Sequence, residues 1–107
     1  MTGGIPKGDA MIAEIQVLPR PAGTDTTPYA NVEAAIAVIQ QSGLQYEVGA
    51  LGTTIEGDAE AVWPVLQQAH AACLAAGAES VATVIKVHET RATEHPGMAG
   101  LVAKFRE

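Results

Sequence analysis

The order in which two apolar patterns follow one another along the chain constrains its fold more than any other feature. Four segments show the alternation or the β-branched composition typical of strands: residues 11–18, 44–49, 53–56 and 80–88. Two longer segments, residues 28–42 and 59–76, repeat apolar side chains at helical spacing, which indicates amphipathic helices. The order is therefore β-α-β-β-α-β, and a short C-terminal helix is predicted from the spacing of Met98, Leu101, Val102 and Phe105.

This order predicts an α+β domain of the ferredoxin-like type, in which a four-stranded antiparallel sheet carries two helices on one face. The connection between the second and third strands is short, so these strands are expected to form a hairpin. The first strand then lies between the third and the fourth. We place the single domain at residues 11–107 and treat the glycine-rich residues 1–10 as a flexible leader.

Single residues at the ends of the segments predict where the helices begin and end. Thr27 is suited to cap the first helix, with Pro28 at its first position, and Asp58 is suited to cap the second. Gly43 is placed to adopt the left-handed conformation that ends the first helix.

Two further prolines are expected to interrupt regular structure. Pro19 should stop the first strand. Pro64 lies beyond the first turn of the second helix, where the missing N–H predicts a 3₁₀ start or a kink.

The composition excludes several classes of function. Twelve acidic residues against six basic ones give a net charge of −6 without runs of like charge, so nucleic acid is not an expected partner. The apolar stretches are far shorter than the roughly 20 residues that span a bilayer, so no membrane partner is expected either. The single cysteine, Cys73, and the lack of an export signal in the first residues predict a cytoplasmic location.

One face of the predicted sheet has no helices over it. Ile12, Leu18 and Val84 are expected on that open face, and together they are too apolar to leave in water. We therefore expect a homo-oligomer, a dimer or tetramer assembled through sheet faces or edges.

Polar side chains share the open face with these apolar ones. Glu14 and Gln16 project from the first strand, while Lys86 and the segment from Thr54 to Glu56 project from its two neighbours. Buried polar groups are costly unless they are paired. The group therefore forms either a cross-strand Glu–Lys pair inside a subunit interface or a site for a polar ligand.

Three segments give the chain a resemblance to a known family: MIAEIQVLP, SGLQYEVGALGTTIEGD and, after Ala69 and His70, AGAESVATVIKV. They resemble the YkoF-like thiamine-binding protein family of small ferredoxin-like proteins, formerly a domain of unknown function. The most specific part is GT-x-x-EGD followed by AGA-x-x-V-x-T-x-I-K. The resemblance implies binding or delivery of thiamine or of its hydroxymethylpyrimidine moiety, in salvage or transport, and assembly into dimers or tetramers, without catalysis.

The implied ligand gives a role to the carboxylate in this block. An aminopyrimidine carries ring nitrogens and an exocyclic amine, so a carboxylate beside it can accept a charge-assisted hydrogen bond, and Glu56 is the candidate. Thr53 and Thr54 would supply hydroxyls that donate and accept. Thr26 or Thr27, in the loop after the first strand, would close over the ring.

The remaining predicted ligand-binding residues come from the strands. Gln16 and Lys86 complete the polar set on the sheet, and Tyr46 is the candidate for stacking on the pyrimidine. The chain has only four aromatic residues, so an aliphatic sandwich around the ring is the alternative to stacking.

Other chemistry has less support in the sequence. His70 and Cys73 have an i, i+3 spacing that gives two metal ligands at most, whereas zinc needs three or four, so no metal or cofactor is predicted. No catalytic residues are assigned. The alternatives are a small dimeric ferredoxin-like enzyme of the monooxygenase or isomerase type, for which His88 at a strand end is the candidate, and an interaction scaffold without a ligand.

Overall fold

The computed structural model describes residues 9–106. Its elements, in chain order, are β1 (Ala10–Arg20), α1 (Ala30–Gln41), β2 (Gln45–Val48), β3 (Thr53–Asp58), α2 (Ala59–Ala75), β4 (Ser80–Thr90), α3 (Met98–Val102) and a final 3₁₀ turn (Ala103–Phe105). The predicted leader, residues 1–10, lies outside the described residues except for its last two. Of these, Ala10 belongs to β1, and the Asp9 carbonyl accepts a 2.7 Å hydrogen bond from the Ala59 N–H.

The four strands form one antiparallel sheet in the order β2-β3-β1-β4. This is the ferredoxin-like arrangement that the element order predicts, with β1 between β3 and β4. Both long helices pack against the same face of the sheet and against each other. The fold prediction is therefore confirmed.

Alternate residues of the central strand build the core. Met11, Ala13 and Ile15 of β1 are buried beneath the helices, as the alternation predicts. The largest fully buried partners are apolar side chains from α1, β3 and α2: Ile39, Ile55, Val62 and Leu66. Each such side chain contributes roughly 1.5–3 kcal/mol by leaving water.

The first helix begins later than predicted. Tyr29, and not Thr27, occupies the N-cap position, and no side chain caps the helix there. The reason is a turn in the preceding loop, where the Thr27 carbonyl accepts hydrogen bonds from Thr24 N–H (2.9 Å) and Ala30 N–H (3.1 Å). At the other end, Gly43 has φ +82°, which confirms the left-handed conformation predicted for it.

The second helix begins where the sequence predicts. Asp58 occupies its N-cap position with an extended backbone, although its side chain makes no capping hydrogen bond. The predicted 3₁₀ start is wrong, because α2 runs as α-helix from Ala59 with Pro64 inside it. Burial of the helix face that carries Val62, Val65 and Leu66 offsets the hydrogen bond that the proline cannot donate.

Pro19 does not stop the first strand, which continues to Arg20. The pairing of β1 with β3 ends at Ile15 and Thr53, while the pairing with β4 continues to Arg20 and Ser80. Past Ile15, β1 is thus an edge strand on the β3 side. The Ile15 carbonyl points toward the hairpin turn, where a Cβ on Gly52 would lie 3.1 Å from it. By strand alternation Pro19 has its nitrogen on that same open side, where no ladder bond needs an N–H.

The sheet face opposite the helices is partly covered by the end of the chain. Residues 95–106, which we call the C-terminal strap, run from the β4 side to β3 and β2. The Met98 N–H donates to the Glu56 carboxylate over 3.0 Å, and Arg106 forms an ion pair with Glu47 of β2. The predicted C-terminal helix is therefore confirmed, and it lies on the face that the two long helices leave open. Leu18 and Val84, further along that face, remain about half exposed.

Within residues 9–106, no helix is long and apolar enough to cross a membrane.

Candidate functional site

The described residues form, among other hollows, one cavity along each half of β1. The helix–hairpin cavity, of about 450 Å³, is enclosed by α1, the second half of β1 and the turn at residues 49–52 between β2 and β3. The strap cavity, of about 560 Å³, lies between the first half of β1 and the C-terminal strap. Both volumes fall within the range of small-molecule sites. Ile12 of the strap cavity and Val17 of the helix–hairpin cavity are separated by five residues of extended strand, about 16 Å. The two residues also point to opposite faces of the sheet, so the cavities are separate sites.

The helix–hairpin cavity exists because β3 is shorter than β1. Beyond Ile15 the strand has no neighbour on the β3 side. Val17 has the same orientation as Ile15 by strand alternation, so its backbone N–H and C=O face this gap. An unpaired strand edge offers a donor and an acceptor side by side, at a spacing that suits the edge of a flat heterocycle.

Polar and aromatic groups surround the mouth of this cavity. Thr53 is buried, 4% exposed, and Glu33 borders the cavity from the first turn of α1. Gln16 of β1 also belongs to the lining, although strand alternation directs its side chain to the opposite face of the sheet. Tyr29 lines the cavity and is 63% exposed. The rest of the wall is apolar: Val17, Val32, Ile36, Ile39 and Leu51.

The loop that leads into α1 is held in one conformation by its own hydrogen bonds. The Asn31 side chain, almost fully buried, donates to the Pro21 carbonyl over 2.8 Å, and the Asn31 N–H donates to the Ala22 carbonyl over 2.8 Å. The Thr24 hydroxyl accepts from the Thr27 N–H over 3.0 Å. Gly23 fits only because it lacks a Cβ, which would lie 2.1 Å from the Thr27 carbonyl oxygen. These bonds fix the loop that leads to Tyr29, where the lining of the cavity begins on this side.

The strap cavity has a different lining. Ile12 forms part of its floor, with Glu56 and His88 flanking Ile12 on the two neighbouring strands. Asp58 and His95 add a second carboxylate and a second imidazole. The apolar part of the lining comes from both the sheet and the strap: Ala10, Met11, Pro96 and Leu101.

The structure separates the predicted ligand-binding residues into groups. Gln16 and Thr53 line the helix–hairpin cavity, and Thr26 and Thr27 lie in the exposed loop that precedes α1. Glu56 lies at the other end of β1, in the strap cavity. Thr26 and Thr27 therefore do not reach a ligand held by Glu56.

The other three predicted residues lie between or outside these cavities. Thr54 and Lys86 flank Glu14 of β1 on the face opposite the long helices, and the Lys86 Nζ lies 3.7 Å from a Glu14 oxygen. Both partners are well exposed, so this pair contributes at most about 1 kcal/mol. Tyr46 pairs with Ile55 on the face of the sheet that carries the long helices, and it lines neither cavity.

Two residues of the helix–hairpin cavity were not predicted from the sequence. Tyr29 immediately precedes α1, and Glu33 lies in its first turn on the side away from the core. Their signal was present in the spacing, because residues four apart on a helix share a face. The polar pattern of the strands points to a carboxylate on the sheet and not to one on this helix face.

The histidines and the thiol lie in separate parts of the structure, α2 and the strap cavity. Within the described part of the chain, no group of three or more potential metal ligands comes together. The His70 Nδ1 lies 2.6 Å from the Thr83 hydroxyl, which links α2 to β4. Cys73 is fully buried, and burial raises the pKa of its thiol.

The fold and its cavities place the chain among small ferredoxin-like α+β proteins that have apolar, ligand-sized hollows on both sides of the sheet. The sequence profile described as thiamine-binding protein matches residues 13–106, nearly the whole chain. The chain belongs to the thiamine-binding protein family.

Individual proteins are similar to this chain over most of its length. A UPF0045 protein from Methanothermobacter thermautotrophicus is 30% identical over 97 residues, which are 89% of this chain and 95% of the relative. A solved structure of a domain of unknown function, DUF77, from Bacillus cereus shares 38% identity and superposes with a TM-score of 0.80 over 92% of each chain. A Thermotoga maritima protein provisionally assigned to thiamine biosynthesis or salvage has the same fold, with a TM-score of 0.73 at 24% identity over 91% of this chain and 99% of that one.

Proposed function

We propose that this protein binds thiamine, or its hydroxymethylpyrimidine moiety, as a carrier and not as a catalyst. The observation that carries the proposal is the match of residues 13–106 to the thiamine-binding protein family. The provisional assignment of the Thermotoga maritima relative to thiamine biosynthesis or salvage points to the same small-molecule chemistry.

We place the pyrimidine in the helix–hairpin cavity. An aminopyrimidine is flat and offers a ring nitrogen acceptor beside an exocyclic amine donor, which is the pattern that the β1 edge at Val17 complements. The apolar walls around Val32, Ile36 and Leu51 cover the faces of the ring. Leu51, at 80% exposure, gains most from a ligand seated against it.

Three side chains set the specificity in this placement. The Glu33 carboxylate, which has no ion-pair partner among the described residues, accepts a hydrogen bond from the exocyclic amine. The Thr53 hydroxyl binds a ring nitrogen, and the Tyr29 ring stacks on the exposed face of the pyrimidine. The role that the sequence suggested for Glu56 is thus taken by Glu33, because the Glu56 carboxylate already accepts the Met98 N–H and lies at the far end of β1.

The chain is proposed to act as a homo-oligomer, a dimer or tetramer. The C-terminal strap covers one part of the open sheet face, but Leu18 and Val84 remain 49% and 53% exposed beyond it. Exposed apolar side chains in one area favour burial against a second copy. Light scattering coupled to size exclusion measures the assembly, and a monomer at micromolar concentration would contradict it.

Isothermal titration calorimetry with thiamine and, separately, with hydroxymethylpyrimidine tests the binding function. Both ligands are expected to bind saturably, with the pyrimidine alone retaining most of the affinity because it makes the polar contacts. No heat and no thermal shift at millimolar ligand would remove the proposal.

A further inference from the structure

The strap cavity has a chemical character distinct from the helix–hairpin cavity. Among the described residues that line it are two carboxylates, Glu56 and Asp58, and neither a lysine nor an arginine. An anion entering it would meet like charge without a compensating cation. A cation would meet two acceptors set two residues apart on the same face of β3.

The strap fixes the Glu56 carboxylate. Its Oε2 accepts the Met98 N–H over 3.0 Å, and this bond leaves Oε1 without a partner from the strap. Gly97 lets the strap approach this closely, since a Cβ there would lie 3.0–3.1 Å from the two carboxylate oxygens. A carboxylate that accepts one bond keeps acceptor capacity for others.

The apolar part of the cavity is open to solvent. Leu101 of the strap is 53% exposed although it lines the hollow, and Ile12 is half-buried on the floor below. A ligand with a compact apolar body would remove both side chains from water. The cavity therefore combines an acidic end with an apolar wall.

We propose that the strap cavity is a second ligand site, for a compact organic cation whose head group carries paired N–H donors, such as an aromatic amidinium. The head group pairs with Glu56 and Asp58, and the ring lies between Ile12 and Leu101. His88 and His95 border the site and add further hydrogen-bonding groups. This site is separate from the proposed thiamine site, and neither depends on the other.

Benzamidine is a suitable probe, with its neutral isostere benzamide as the matched control. Titration at pH 8 in the presence of saturating thiamine, followed by ¹⁵N–¹H spectra of the full chain, is expected to give saturable binding. The largest shifts should fall on the amides of Gly97 and Met98. Benzamide should bind at least tenfold more weakly, because it lacks the charge.

Single substitutions test whether benzamidine binds in the strap cavity. The change Glu56→Gln keeps an oxygen that can accept the Met98 N–H, so the strap stays seated, but removes the charge, and benzamidine affinity should fall about tenfold or more. Asp58→Asn should weaken binding in the same direction, while Glu79→Gln, an equal charge change at an exposed site between α2 and β4, should leave it unchanged. Unfolding curves of all three variants establish that they are folded.

Failure of this proposal can be told apart from failure of the thiamine proposal. The second site is overturned if benzamidine does not saturate below about 10 mM, if benzamide binds equally well, or if Glu56→Gln and Glu79→Gln have the same effect. Thiamine titrations of the same samples report on the other cavity independently.

Discussion

Thr53 and Thr54 are adjacent in sequence and lie on opposite faces of the sheet. Thr53 is buried opposite Ile15, on the side of the long helices, whereas Thr54 is only half-buried opposite Glu14, on the other side. The two hydroxyls therefore cannot bind the same ring, and only the Thr53 hydroxyl lies in the helix–hairpin cavity.

This separation predicts unequal effects of two identical changes. Thr53→Val keeps the shape but removes a hydroxyl from the proposed pyrimidine site, and thiamine affinity should fall about five- to tenfold. Thr54→Val should leave thiamine affinity within twofold of the original. Calorimetric titration of both variants checks the prediction, and equal losses, or a loss confined to Thr54→Val, would place the ligand elsewhere.

The carboxylate of α1 gives a second prediction. Glu33→Gln removes the charge that accepts the exocyclic amine, so thiamine should bind about tenfold more weakly while the free energy of unfolding changes little. Glu79→Gln makes the same change in net charge away from both cavities and serves as the control. If both variants bind thiamine like the original protein, Glu33 has no part in recognition.

The close approach of Gly97 to Glu56 predicts that a side chain at position 97 destabilises the strap. Gly97→Ala places a Cβ about 3.0 Å from the carboxylate, so the strap must shift and the free energy of unfolding should fall by about 1 kcal/mol. Gly100→Ala, within α3, meets only the Pro96 side chain at 3.4 Å and should be neutral or slightly stabilising. Urea unfolding measures both variants, and amide hydrogen exchange should speed up in residues 97–102 of Gly97→Ala alone. Equal stability of the two variants would mean that the strap is not held by this contact.

The buried thiol predicts a contribution to the pH dependence of stability. Burial raises the pKa of Cys73 in the folded state, so the folded protein holds its thiol proton at a pH where the unfolded chain loses it. The stability linked to this thiol is therefore fully present below the ordinary thiol pKa of about 8.5 and is lost as pH rises above it.

Comparison with the Cys73→Ala variant isolates the contribution of the thiol to the pH dependence of stability. The variant should be less stable at pH 7 by about 1 kcal/mol, because it leaves a small cavity. Between pH 8 and 10 its stability should decline less steeply than that of the original protein. Parallel slopes in denaturant-unfolding series at several pH values would show that the thiol titrates equally in both states.

The fold could be predicted because its signals are local and agree with one another. Alternation along β1 gave the buried face of Met11, Ala13 and Ile15, and Gly43 marked the end of α1 through a conformation that glycine adopts readily. The errors arose where tertiary contacts override local propensity. Pro19 stays in β1 because β3 ends short of it, and Thr27 is displaced from the cap because its carbonyl closes a turn.

The candidate sites could be predicted only in part. The chain pattern identified Gln16 and Thr53 as polar residues near the sheet, and both line the helix–hairpin cavity. It grouped them with Glu56, since sequence distance between adjacent strands does not show that β3 stops halfway along β1. It also left the strap's position open, because the bond from Met98 to Glu56 joins residues 42 apart.

A crystal structure of the protein grown with saturating thiamine tests the central claim most directly. The account predicts pyrimidine density between α1 and the turn at residues 49–52, within hydrogen-bond distance of the Glu33 carboxylate and the Val17 backbone. Pyrimidine density in the strap cavity alone, with the helix–hairpin cavity unoccupied, would contradict it.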